Sequence, residues 1–335
     1  MLSCTLPDLL LPELGRTGWP WTDAPEPLPA LMPDGQPWPR ISIVTPSFNQ
    51  GSYLEKTIRS VLLQVYPNLE YIIIDGGSTD QSIEIIRKYE PWLTYWVSEG
   101  DRGQTHAINK GLLHCSGALF NWLNSDDFLC PGALIALAEQ WVVTQPDLVA
   151  GRCLVFNEPN GALSHDWPAR PPRQLLDFLT PHSVVLGQPA SFVSLNTLYA
   201  VGGLREDLHY VMDWELYLRL TMKLRGTLRS AVTPHTIAHS LQHPAAKTMR
   251  NADGFRQEAC RVLEALLPQL QAEEHACITS HLQHLRSQAL ITFLLSRPQA
   301  ALSLCAVSLI QPDLLRLRFF WGALRRAMFT NVEGR

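Results

Sequence analysis

Apolar runs at 41–44 (ISIV), 71–74 (YIII), 95–97 (YWV) and 118–123 (ALFNWL) are separated by stretches of helical period, and this alternation constrains the fold more than any other feature. Short, continuously apolar runs suit strands buried on both faces, and intervening helices bring consecutive strands parallel. The expectation is an α/β domain with a mostly parallel central sheet flanked by helices. Leu54, Ile58, Val61, Leu62 and Val65 make the apolar face of the first helix, and Ser52 with Glu55 and Ser78 with Gln81 fit capping-box spacing. Pro131 opens a later helix carrying Leu134, Leu137, Ala138 and Trp141.

The flanks differ in texture. Residues 1–40 hold nine prolines, a density that defeats helix and central strand alike, so an extended arm without a role in chemistry is expected. After about residue 250 strand signals stop, and the rest is helical by period, broken at Pro268, Pro298 and Pro312. The predicted organisation is an arm at 1–40, an α/β domain at 41–248 and a helical C-terminal appendage at 249–335. A net charge of −4 does not call for a nucleic-acid partner. The seven cysteines are scattered and never spaced CxxC, which argues against a disulfide framework or zinc knuckle and for a reducing, cytoplasmic setting. Neither a signal peptide nor an apolar span of about 18 residues is evident, so the chain reads as soluble or peripheral. Arg316, Arg318, Arg325 and Arg326 interleave with Leu317, Phe319, Phe320, Trp321 and Leu324. Such a helix can make peripheral membrane contact on an anionic surface, or it can pack its aromatics on the α/β domain and leave the arginines solvated.

Ligands of open α/β sheets bind beyond the carboxyl ends of the strands. Four such ends are polar here: residues 45–51 (TPSFNQG), 75–80 (DGGSTD), 99–104 (EGDRGQ) and 124–127 (NSDD). Each alone could be turn chemistry. Together they would line one crevice, with Gly76 and Gly77 allowing close approach, Asp75 accepting from a base or ribose and Arg102 adding positive charge. Asp126 and Asp127 would repel each other unless neutralised, and oxygen ligation favours Mg²⁺ or Mn²⁺, often shared with a phosphate. Capping of the helix after Pro131 is the alternative for that pair. No GxGxxG or GxxxxGK loop is present, which weakens dehydrogenase and P-loop readings.

Segments 41–49 (ISIVTPSFN), 71–80 (YIIIDGGSTD), 98–111 (SEGDRGQTHAINKG), 122–127 (WLNSDD) and 208–220 (LHYVMDWELYLRL) together resemble the family 2 glycosyltransferases over about residues 41–248. The resemblance implies a GT-A fold and inverting transfer of a sugar from a nucleotide-diphospho-sugar, expected to be UDP-linked, to a saccharide or lipid-linked acceptor. It implies that Thr45, Pro46, Asn49 and Asp75 hold the nucleotide, with Arg102 and Asn109 nearby and Asn124 facing the ribose. It further implies Asp126 as the ligand of a divalent metal (Mg²⁺ or Mn²⁺), Asp127 supporting it, and Asp213 as the base. Gln188 lies in the segment next to the acceptor, and His243 with Lys247 matches a segment that reaches the diphosphate. Two departures stand out: Asn124 replaces a common aspartate, and His106 sits where an aspartate is usual.

His235, His239 and His243 recur every four residues, which would make a metal stripe on a helix. Pro234 and Pro244 bracket a strand-like run instead, where four residues span about 13 Å. A processive polymer synthase is disfavoured, since the glutamine-x-x-arginine-tryptophan motif is absent. The rivals are a nucleotidyltransferase and a non-catalytic sugar-nucleotide binder. The expected role is in cell-surface polysaccharide or glycolipid assembly.

Overall fold

The computed structural model describes residues 15–23, 28–158, 160–170, 172, 174–178, 186–244, 246–247, 251–295, 320–321 and 323–324. The chain divides into two units, Met1–Arg250 and Asn251–Arg335. In the first, the four expected strands are present as β1 (Ile41–Ser47), β2 (Leu69–Asp75), β3 (Tyr95–Ser98) and β4 (Leu119–Trp122). They pair in the order β3-β2-β1-β4, parallel throughout. Helices α1 (Gly51–Leu62), α2 (Ser82–Tyr89) and α3 (Gln104–Leu112) fill the crossovers. Leu54, Ile58 and Val61 are wholly buried, as their spacing predicts.

Beyond β4 the sheet becomes mixed. Strands β5 (Phe128–Leu129), β6 (Leu148–Asn157), β7 (Ala162–Trp167), β8 (Ser191–Ser194) and β9 (Ser230–Gln242) extend it, with α4 (Ala133–Thr144), α5 (Leu195–Val201) and α6 (Met212–Lys223) in the connections. β8 joins β4 and β6 antiparallel, β7 joins β6 and β5 joins β9 antiparallel, and β6 pairs β9 parallel. Pro234 sits inside β9, where it cannot donate to the ladder, and the register shifts there between Ala150 and Arg152. Gly151 makes room for the bulge, because a Cβ on it would lie 2.9 Å from the His235 carbonyl oxygen.

Both predicted capping boxes fail. Ser52 and Glu55 lie within α1, and the Glu55 carboxylate instead takes Lys88 Nζ and the Tyr89 hydroxyl. Asp80 does the capping: Oδ2 accepts from the distant Gly51 N at 2.8 Å and Oδ1 from Ser82 N, two residues on, at 2.9 Å, so one carboxylate holds the starts of α1 and α2.

The described part of the arm contains no helix or strand beyond an isolated Leu31–Pro37 bridge, yet it is firmly anchored. Arg59 is buried in α1 and donates to the carbonyls of Pro20 (3.0 Å) and Trp21 (3.1 Å) and to the Tyr89 hydroxyl (3.2 Å). Trp21 and Trp38 are buried, and Trp19 Nε1 donates to the Leu129 carbonyl.

The second unit comprises α7 (Ala252–Leu266), capped by the Asn251 side chain, and α8 (Ala272–Leu295), with Arg286 paired to Glu264. Among the described residues no helix is long and apolar enough to cross a membrane. Most of the basic aromatic segment lies outside the described residues, Phe320, Trp321 and Leu324 excepted.

Candidate active site

Parallel pairing puts the ends of β1 to β4 on one edge, with Ser47, Asp75 and Ser98 as register neighbours. Several of the residues expected at the nucleotide are buried in the sheet or at its edge. Thr45 is buried, its hydroxyl 3.0 Å from that of Tyr71, and Pro46 is buried beside it. Asp75 is fully buried and accepts four bonds, from Ser78 Oγ (2.5 Å) on Oδ1 and from Gly77 N (3.1 Å), Ser78 N (2.8 Å) and Ser98 Oγ (2.7 Å) on Oδ2. Three of these bonds fall on Oδ2 and one on Oδ1, so Asp75 shapes the loop that follows it. Asn49 adopts φ 52°, accepts from Thr79 N at 2.8 Å and donates its own N–H to Ser78 Oγ, joining the first two loops. Ser47 Oγ is buried and has no hydrogen-bond partner among the described residues.

The acidic loop is held from below by α1. Thr57 Oγ1 donates to the carbonyls of Ser125 and Asp127, Ser60 Oγ accepts from Leu129 N, and Gln64 Nε2 donates to the Cys130 carbonyl. The signal for this ladder is a set of buried polar residues, Thr57 and Ser60 on α1 and Gln64 just past its end, which periodicity read for hydrophobicity alone passes over.

Within the loop the two aspartates part ways. Asp127 is buried and accepts from Asn124 Nδ2 at 3.0 Å, with further support from Ser240 and the Leu241 backbone. Burial and the neighbouring Asp126 push its carboxyl well above the usual range. Asp126 keeps a 21% exposed side chain, and its Oδ2 lies 3.0 Å from His243 Nε2. Tyr53 stacks on that imidazole at 4.6 Å and donates its hydroxyl to Glu158. A relay closes the other side: Lys247 Nζ donates to Gln104 Oε1 (2.7 Å), Gln104 Nε2 to Asn124 Oδ1 (2.6 Å), and Asn124 to Asp127. Asn124 therefore uses both ends of its amide, and an amide is the group that can bridge a donor on one side and a buried carboxylate on the other.

A divalent ion fits this donor set in part. No group of three or more His, Cys, Asp or Glu side chains is placed to hold a metal among the described residues. Mg²⁺ and Mn²⁺ on a diphosphate need only one or two protein ligands beside phosphate oxygens and water, which Asp126 provides. His243 could add Nε2 only by shifting its proton to Nδ1, a buried atom with no partner among the described residues. The three-histidine stripe is not formed: His235 is exposed, His239 sits between Phe128 and Phe156, and His243 faces Asp126.

The third loop is tied to the approach to α6. Arg102 Nη2 meets Glu206 Oε2 at 2.5 Å, Asn109 Nδ2 donates to the Leu204 carbonyl (2.9 Å) and toward Glu206, and Thr105 Oγ1 donates to the Leu208 carbonyl. His106 supplies the acceptor at the helix start, Nδ1 taking the Arg102 N–H at 3.3 Å. The Arg102 side chain is 71% exposed, so its ion pair is weak and Arg102 can exchange partners at little cost. Gln188 is buried and spends its amide N–H groups on Asn121 Oδ1 and the Trp122 carbonyl, under β4.

These ties fix the start of α6, where two acids compete for a catalytic role. Glu215 is buried and held by Arg219 through two bonds of 2.9 Å, while Arg219 also grips the Val201 and Gly203 carbonyls. Asp213 is half-buried, and Oδ1 accepts from Trp214 N at 2.8 Å. Burial raises its carboxyl above the ordinary value, partly offset by that N–H.

The sequence and fold are similar to those of known proteins. The family model for glycosyl transferase family 2 matches residues 42–197. An uncharacterized glycosyltransferase of Mycobacterium tuberculosis (strain H37Rv) is 32% identical over 196 residues, 55% of this chain and 70% of the relative. S. aureus TarS 1–349, solved with UDP-GlcNAc, superposes with a TM-score of 0.57 at 16% identity, over 74% of this chain and 72% of that one. The mannosyltransferase PcManGT of Pyrobaculum calidifontis, solved with GDP-Man and Mn²⁺, gives 0.50 at 17% identity over 87% and 84%. With its α/β sheet of GT-A type and this extent of shared sequence, the chain belongs to glycosyl transferase family 2.

Proposed function

We propose that the chain is a non-processive, inverting glycosyltransferase that takes the sugar from a UDP-linked donor and passes it to a hydroxyl of a saccharide or lipid-linked acceptor, at the cytoplasmic face of cell-surface polysaccharide assembly. The observation that carries this reading is the pair of incompletely satisfied acids, Asp126 on the edge loop and Asp213 at the start of α6, set among acids that are locked by partners. Catalysis is assigned to residues 41–248, with 1–40 as a structural strap and 249–335 as a helical accessory region.

Asp126 would hold Mg²⁺ or Mn²⁺, with His243 against its carboxylate and the Asn124–Asp127 bond fixing the loop that carries it. A divalent ion there supplies Lewis-acid neutralisation of the departing diphosphate. Lys247 and Arg102, both on exchangeable surface contacts, would turn to the donor phosphates, while Asn49 and the loop built by Asp75 shape the nucleotide seat. Asp213 accepts the proton of the attacking acceptor hydroxyl, and its raised pKa brings it nearer the working pH. Burial also lifts the Cys115 and Cys130 thiols to about 12, so neither is primed as a nucleophile, in keeping with single displacement. The solved neighbours with UDP-GlcNAc and with GDP-Man and Mn²⁺ support the donor class. Turnover of a panel of nucleotide sugars, with the anomeric configuration of the product followed by NMR, tests the reading. Transfer with inverted configuration is expected, and retained configuration would refute the single displacement.

A further inference from the structure

Building on the transferase reading, we propose that Trp19 of the N-terminal arm is a positioning residue for the reaction: its indole N–H pins the edge strand behind the acid loop and so sets where Asp126 stands. β5 (Phe128–Leu129) ends the strand order β3-β2-β1-β4-β8-β6-β9-β5, so one of its sides has no neighbouring strand. Cys130 N donates across to the Ile237 carbonyl of β9, and in an antiparallel pair the groups of the preceding residue point the other way. Leu129 therefore turns its N–H and C=O to the open side, yet it is wholly buried and out of reach of solvent. Side chains take the place of the missing strand. Ser60 Oγ of α1 accepts from Leu129 N at 3.0 Å, and Trp19 Nε1 donates to the Leu129 carbonyl at 2.7 Å.

The arm can bear on β5 because α1 grips both. Arg59 holds the carbonyls of Pro20 and Trp21, its guanidinium lies 5.2 Å from the centre of the Trp21 ring, and Arg16 covers the same ring at 4.3 Å. Thr57, two residues before Arg59, takes the carbonyls of Ser125 and Asp127. Trp19 adds a tie between arm and loop that does not pass through the helix. Three residues separate Leu129 from Asp126, at most about 10 Å of chain. β5 also pairs with Ala238 and His239 of β9, the strand that leads to His243 and its contact with Asp126. Without the indole N–H, the buried Leu129 carbonyl must admit water or turn toward another donor, and either movement is passed to the acid loop and to β9 together.

Calorimetric titration of the full chain with UDP at a series of Mn²⁺ concentrations tests the assignment. Trp19→Phe keeps an aromatic ring but loses the donor. It should raise the Mn²⁺ concentration that gives half of the gain in UDP affinity by about ten-fold, the low end of what loss of a supporting contact costs a metal ligand. Trp38→Phe is the control, because it removes an indole N–H that bonds the Pro29 carbonyl within the arm at 2.9 Å, and Trp38 is the more deeply buried of the two. It should cost stability and leave the Mn²⁺ midpoint at the parent value.

The parent protein gives a second reading that needs no variant, since coupling between two sites is reciprocal. Amide exchange at Trp21 and Thr22, whose N–H groups close onto the Gly18 carbonyl, should be slower with Mn²⁺ and UDP together than with UDP alone, by a comparable factor. A folded Trp19→Phe protein with the parent's midpoint, an equal shift in both variants, or arm exchange that does not respond to Mn²⁺ would overturn the role of Trp19 and leave the transferase reading standing. A parent whose UDP affinity gains nothing from Mn²⁺ would overturn the ion site and the role of Trp19 together, and a folded parent that binds no UDP would overturn the transferase reading as well.

Discussion

Asn124→Asp changes one atom, and the structure sets its consequence. The Gln104 bond to Oδ1 is retained, but Nδ2, which donates to Asp127 Oδ2 at 3.0 Å, becomes a carboxylate oxygen facing a buried acid. Two unit charges at about 3 Å repel by about 5 kcal/mol at an effective dielectric near 20. The pair avoids this by keeping a proton, at a cost of about 1.4 kcal/mol for each pH unit above the ordinary carboxylate range. Asp127 already has a raised pKa in the parent, so its contribution to stability is best at low pH and declines as pH rises from the unfolded carboxylate value toward the raised one. A second acid steepens the same trend. The loss in unfolding free energy should be about 2 kcal/mol while Asp127 holds its proton in the parent, and should grow by about 1.4 kcal/mol for each pH unit above its raised pKa, read as a shift in urea midpoint. A loss that is absent, or that fails to grow above the raised pKa of Asp127, would refute the view that Asn124 exists to bridge Gln104 and Asp127.

Two further outcomes follow from the same geometry. Arg59→Met strands the carbonyls of Pro20 and Trp21 at about 1 to 3 kcal/mol each, so it should lower stability by about 2 to 5 kcal/mol in urea unfolding, and removal of residues 1–40 should act in the same direction; a change below about 1 kcal/mol would mean the strap is dispensable. Asp126→Ala should abolish the gain in UDP affinity that Mn²⁺ confers on the parent, a gain of at least about ten-fold by calorimetry, and an unchanged gain would move the ion elsewhere.

Much of the first half of the sheet was legible because buried parallel strands are continuous apolar runs and α1 carries its face at helical spacing. The edge where the site lies followed from the ends of those runs. What escaped was long-range polar pairing. Ser52 and Ser78 have the spacing of local caps, but Asp80 caps the second helix locally at Ser82 and the first at Gly51, a pairing no short window contains. Asp75 has the right type and place for a ligand contact, and only the folded loop shows that it also takes four bonds from its neighbours. The arm was read from its prolines, which exclude regular structure but not burial, and the guanidinium that anchors it lies on a helix whose pattern concerns apolar residues. Glu215 and Asp213 are alike in sequence, and Arg219, one turn beyond Glu215, is the signal that separates them.

The central claim is that Asp213 deprotonates the acceptor. The rate constant of transfer by Asp213→Asn, measured beside its affinity for the donor nucleotide, tests this most directly. Positioned proton transfer contributes about 10² to 10⁴ in rate, so kcat should fall by that order while UDP binding stays near the parent value. Undiminished kcat, or a loss confined to nucleotide affinity, would contradict it.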